Sequence, residues 1–113
     1  MLGRLMTEKR QFERAPFDDT VSVQHAADRF EARVRDLSVG GAYVVSDRKL
    51  AFNAAVVVTI KLPALVERGK PPAVLEGVVR WIRDDGFGVQ FGPTGALATY
   101  ALADYVARRN HQL

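Results

Sequence analysis

The chain reads as an all-β domain with a terminal helix: a small six-stranded antiparallel β-barrel followed by one C-terminal α-helix. Three observations predict this. Apolar and polar residues alternate with period two through several short segments. Turn-forming residues separate those segments. After Gly92-Pro93 the spacing becomes helical, with Leu97, Ala101, Leu102, Tyr105 and Val106 on one stripe.

Each element follows from its residues. Residues 1–14 form an arm, flexible or weakly helical, with Phe12 as its one large apolar anchor near the arginines. Ala15-Pro16 ends any helix there, because a residue before proline is pushed toward extended backbone. In Phe17 to Gln24, Val21 and Val23 alternate with Thr20, Ser22 and Gln24, which predicts a half-buried strand. Ala26-Ala27-Asp28 connects it to Arg29–Asp36, where Phe30, Ala32 and Val34 take one face and Arg29, Glu31, Arg33 and Arg35 the other. The stretch 36–41 interrupts the alternation, and Ala42–Val45 resumes it. Residues 46–53 are polar and loop-like, with Leu50 and Phe52 as plugs. The β-branched run Ala55–Leu62 reads as a central strand. Pro63–Pro72, with three prolines and Gly69, reads as a long surface loop. Val74–Arg83 is a long strand bearing Trp81, Asp84-Asp85-Gly86 a hairpin turn, and Phe87–Phe91 the returning strand. Gly95–Arg109 is the helix, with Arg108-Arg109 at the end that favours cations. Residues 110–113 are a tail.

Composition narrows the function. A length of 113 residues suits one domain, with 15–109 as its body and no output domain beside it. The absence of cysteine removes disulfides, thiolate metal sites and cysteine nucleophiles together. A net charge of +3 favours an anionic partner but falls short of a general nucleic-acid surface. Residues 1–6 are too short for a signal peptide, and no apolar run approaches membrane-spanning length, so no membrane insertion and a cytoplasmic location are expected.

Catalysis finds little support. His25 ends a strand, His111 lies in the frayed tail, and neither has metal-ligand spacing to another histidine. Asp18-Asp19 and Asp84-Asp85 sit at turns, where solvated aspartate is usual. Gly86, Gly88 and Gly92 lack the spacing of a dinucleotide fingerprint, and no Gly-Lys-Ser/Thr is present. The domain is therefore expected to be no enzyme, and to need no metal or cofactor.

Two stretches can address an anionic ligand. Lys9-Arg10-Gln11-Phe12-Glu13-Arg14 places three cations in six positions. With 12 arginines in the chain, an Arg-x-x-x-Arg pair arises by chance about once, and Arg29/Arg33 is a second one, read as a solvent-facing row. In Asp36-Leu37-Ser38-Val39-Gly40-Gly41, Asp36 and Ser38 share a face if the backbone is extended, while Leu37 and Val39 turn toward the core. The glycines permit close approach of a ligand or another chain. An aspartate can accept from guanine N1–H and its 2-amino group, and an arginine can donate to O6 and N7. A plain turn, with Asp36 and Ser38 bonding local backbone, accounts for the same residues equally well.

The ordered set decides between them. Arg10-x-x-x-Arg14, Asp36-x-Ser38-x-x-Gly41, Gly77-Val78-Val79-Arg80-Trp81 and Gly88-Val89-Gln90-Phe91 occur in one order on one small β domain. This resembles the PilZ family, the cyclic di-GMP receptor domain of bacterial second-messenger signalling, over roughly Glu8 to Arg109. The resemblance implies a PilZ-like split barrel in which Arg10 and Arg14 hold guanine faces and phosphates, Asp36 and Ser38 contact guanine and phosphate, and Gly41, with Gly40, keeps the surface clear. Lys9 stands where the family sets whether one ligand or an intercalated pair binds, and it is compatible with a pair. Trp81 is a further candidate for the site, with a core role the stronger expectation. The ligand would order the arm onto the barrel and so present a changed surface to an unidentified downstream protein. Stoichiometry and a ligand-linked homodimer stay open. The alternatives are a PilZ-like adaptor that does not bind the nucleotide, and a small basic barrel binding RNA or single-stranded DNA through Phe17, Phe30 and Phe87, most of which the alternation places in the core.

Overall fold

A computed structural model describes residues 12–111. The expectations for Lys9 and Arg10, and for the arm before Phe12, lie outside the described residues. The elements are β1 (Ala15–Pro16), β2 (Thr20–His25), β3 (Asp28–Leu37), β4 (Gly41–Val45), β5 (Ala55–Ile60), α1 (Pro63–Glu67), β6 (Ala73–Arg83), β7 (Gly86–Phe91) and α2 (Gly95–His111). The strands run in the order β1-β3-β2-β5-β6-β7-β4, all antiparallel, and β3 also pairs with β4. That last pairing closes β2 to β7 into the expected six-stranded barrel, which leaves no free edge along most of its circumference. β1 is an added two-residue strand, set beside the far end of β3 through Ala15↔Leu37 and Pro16↔Asp36.

The barrel core is built from inward residues of every strand, among them Val23, Val34, Val44, Val58, Val79, Phe87 and Val89, all essentially inaccessible. One end is stoppered by α1 and α2 through Leu62, Leu65, Ala101 and Leu102. Two bulges matter for function. In β3 the inward parity is even at Ala32 and Val34 but odd at Leu37, because the register with β4 shifts between Val34 and Asp36. Arg35 and Asp36 therefore both face outward. A similar shift between Val79 and Trp81 turns Arg80 and Trp81 outward on β6. A bulge spends one extra residue to re-aim its neighbours.

Several expectations change here. Trp81 is not a core residue: it is 46% exposed, lying flat along the sheet over Gly88. Phe52 is no plug but 58% exposed, whereas Leu50 does pack against the core. The expected loop 63–72 opens with a short helix, α1, with Pro63 in its first turn, where a missing N–H costs nothing. His111 is helical, not tail, and α2 runs two residues past the expected Arg109. Phe17 and Phe87 are buried and Phe30 is partly buried against the core, so these rings are not a nucleic-acid platform.

Candidate functional site

The site is built where the end of the arm meets the end of β3. Arg14 immediately precedes β1, so the Pro16↔Asp36 pairing carries it to the outer face of β3. Its Nη1 donates to Asp36 Oδ1 at 2.5 Å across 22 residues of sequence. Both side chains are about three-quarters buried. The two expected motifs thus meet through Arg14 and Asp36; Arg10 and Lys9 lie before the described residues.

The bend after β3 is held by its own residues. Ser38 is buried, and its Oγ accepts from the Gly40 and Gly41 N–H groups at 3.0 and 3.1 Å. Its backbone N–H donates to the Gly41 carbonyl at 2.9 Å. Extended backbone would have put Ser38 beside Asp36, but β3 ends at Leu37 and the chain turns. Gly41 is required by the neighbouring strand: an added Cβ would lie 2.2 Å from the Val89 carbonyl oxygen. Beside it, Gly40 is roofed by the half-exposed ring of Phe12. Of the acid-hydroxyl-glycine set, Ser38 and Gly41 shape the bend, and Asp36 presents a carboxylate from it.

The last turns of α2 fasten the same segment from the other side. Asn110 Nδ2 donates to the Arg14 carbonyl at 2.7 Å and to Glu13 at 2.9 Å. The Tyr105 hydroxyl donates to the Pro16 carbonyl, and its ring packs edge-on against Phe17 at 5.3 Å. Arg109 pairs with Asp18 at 2.6 Å. The Asn110 bond, aided by His111, holds the Glu13 carboxyl below its ordinary range. None of these contacts was legible in the sequence, since the partners stand nearly a whole chain apart and no local pattern links them.

Beyond Asp36 the outer face continues along one cross-strand row: Asp36↔Tyr43, Tyr43↔Gly88, Gly88↔Trp81. Directly opposed residues share a face. Trp81 is thereby on the face of Asp36, about 14 Å away at three strand spacings. Between them Asp85 accepts from the Tyr43 hydroxyl at 2.6 Å and pairs with Arg35, whose guanidinium stacks over the Tyr43 ring at 4.6 Å. The Tyr43 bond, then Arg35, holds the Asp85 carboxyl below its usual value, while burial pushes the Tyr43 phenol up. Among the described residues no cluster of histidine and carboxylate ligands could hold a metal, and no helix is long and apolar enough to cross a membrane.

The family model for the PilZ domain matches residues 8–108. The chain belongs to the PilZ family. Comparison with curated proteins by sequence finds no match. Solved structures share the PilZ fold. The inhibitor of motility MotI/DgrA of Bacillus subtilis superposes with a TM-score of 0.76 at 24% identity, over 92% of this chain and 52% of that one. PlzA of Borreliella burgdorferi, solved in complex with c-di-GMP, gives 0.65 at 17% identity over 91% of this chain and 43% of that one. The PilZ domain of CeSA from a cellulose-synthesizing bacterium gives 0.60 at 19% identity over 84% and 91%. The chain spans about half the length of the first two proteins, and the likeness to all three is one of fold.

Proposed function

We propose that this chain is a cyclic di-GMP receptor in which the segment bearing Lys9, Arg10 and Arg14 closes on the bend at Asp36–Gly41 with the ligand between them. The observation that carries this is the Arg14–Asp36 pair. It sets a bidentate donor for guanine O6 and N7 next to an acceptor for guanine N1–H and its 2-amino group. Membership of the PilZ family supports the choice of ligand.

The pair must open for the ligand to enter, and the cost is small. A partly exposed ion pair contributes about 0–1 kcal/mol. Asp36 exchanges the guanidinium for a guanine edge, and Arg14 turns to a guanine face or a phosphate. Lys9 and Arg10 add charge-assisted bonds, which offset the entropy of fixing the arm. Ser38 and Gly41 act through the bend, keeping Gly40 and Gly41 low beside Asp36. The altered arm, held against α2 through Asn110, is the surface read by a downstream protein, and α2 is part of that surface.

A nucleotide-independent adaptor is the second reading. It is favoured by one fact: Asp36 and Ser38 already have partners without a ligand. Isothermal titration with cyclic di-GMP separates the two. The receptor reading expects saturable heat that is lost in Arg10→Ala and in Arg14→Ala, both with unchanged circular dichroism. Absence of heat in the wild type, or wild-type affinity in either variant, refutes it.

A further inference from the structure

The outer face does not stop at the bend. Gly41 stands opposite Gln90, and Gln90 opposite Val78. Along this row opens a groove of about 460 Å³ over β5, β6 and β7, whose polar lining is Glu76, Arg80 and Gln90. Gly41 is buried and brings no side chain to the row, and the groove begins beside it at Gln90 and Val78.

Arg80 is held in place there. It faces outward beside the inward Val79, at the β6 bulge; its Nε donates to Gln90 Oε1 at 2.9 Å and its Nη1 to Asn53 Oδ1 at 2.7 Å. Both acceptors are neutral amides. They fix the guanidinium without cancelling its charge and leave donors of its planar fork unspent. Asn53 is itself pinned: it adopts a left-handed backbone, φ 69°, and its N–H donates to the Val79 carbonyl at 2.8 Å. That tie brings the exposed ring of Phe52 to 5.8 Å from the Arg80 guanidinium. An exposed aromatic beside a braced arginine is a stacking platform for a base.

We propose that this groove is a second guanine half-site. It takes the half of the cyclic dinucleotide that Arg14 and Asp36 do not hold, with Arg80 on O6 and N7, Phe52 against the ring face, and Glu76 accepting from N1–H and the 2-amino group. Glu76 decides that a base enters rather than a phosphate, which its carboxylate would repel. Glu76 and Arg80 stand four residues apart on β6, about 13 Å of strand, a span that a purine and two side chains fill. The inference rests on the ligand reading above.

The test is calorimetric titration of cyclic di-GMP into wild type, Arg14→Ala, Arg80→Ala, Arg80→Lys, Phe52→Ala and Glu76→Gln. Thermal melts confirm that each is folded; all four groove substitutions are at exposed positions. Arg80→Ala is expected to weaken binding on the order of 10- to 100-fold, with little rescue by lysine, which lacks the fork. Phe52→Ala is expected to weaken it roughly 5- to 50-fold. Glu76→Gln should narrow the preference for cyclic di-GMP over cyclic di-AMP. If wild type binds, Arg14→Ala does not, and the four groove variants match wild type within about twofold, the half-site is overturned and the receptor reading stands. If wild type gives no heat, both fall.

Discussion

The ring of Phe12 lies over Gly40 so closely that a Cβ added there would come within 2.7 Å of Phe12 Cδ2. One residue on, the obstacle is main chain, since a Cβ on Gly41 would meet the Val89 carbonyl oxygen at 2.2 Å. The two glycines of one bend thus serve different ends, and substitution separates them. Gly40→Ala should leave the melting temperature nearly unchanged, because the half-exposed ring can swing aside, but should loosen the arm. Gly41→Ala must push β4 from β7 and should cost about 1–3 kcal/mol, read as a fall of several degrees in the melt. Equal melts for the two would contradict this packing.

Asp36 separates binding from stability. Removing its carboxylate in Asp36→Ala forfeits an ion pair worth about 1 kcal/mol or less. The same change removes two charge-assisted acceptors for guanine, so affinity for cyclic di-GMP should fall on the order of 100-fold or more. Chemical denaturation and titration calorimetry on one preparation measure both. A large stability loss with intact affinity would assign Asp36 to the scaffold alone.

The helix end is expected to control the arm. Tyr105→Phe and Asn110→Ala each delete bonds to the Glu13–Pro16 segment and should each cost about 0.5–1.5 kcal/mol. Hydrogen exchange should quicken in that segment while the amides of β5 and β6 stay protected. Uniform quickening across the barrel would mean that α2 supports the fold in general rather than this segment.

Acid should act through Asp85 and Glu13. Both carboxyls titrate below their ordinary values in the folded chain. A depressed folded value gives stability that is present above the unfolded value and is lost as pH falls through the folded one. The acid limb of the melting profile, below the ordinary carboxylate range, should therefore flatten in Asp85→Asn. Tyr43 has the opposite sense: its raised value gives stability that is lost as pH climbs past the usual phenol range. Identical acid limbs in wild type and variant would remove Asp85 from the account.

Much of this was legible in the residues. Alternation located the six barrel strands, and the glycine and aspartate turns joined them in order, because half-buried strands must alternate to fill a core. Bulges are what alternation hides. One extra residue at Arg35 and another at Arg80 reverse the parity, so Asp36 and Trp81 face outward where a regular strand would have buried one of each neighbouring pair. The same blindness placed Ser38 beside Asp36, although the strand had already ended at Leu37. Helix α1 is five residues long, too short for a period, and Pro63 with the later Pro71 and Pro72 made the stretch resemble a loop. Phe52 looked like core by composition, but Asn53 ties its loop to β6 and leaves the ring outside.

The most direct measurement is hydrogen exchange by mass spectrometry with and without saturating cyclic di-GMP, on wild type and Arg14→Ala. The ligand should protect the segment around Glu13–Pro16 and the bend at Asp36–Gly41 together, and Arg14→Ala should abolish protection in both. Protection of only one of the two, or undiminished protection in the variant, would contradict this.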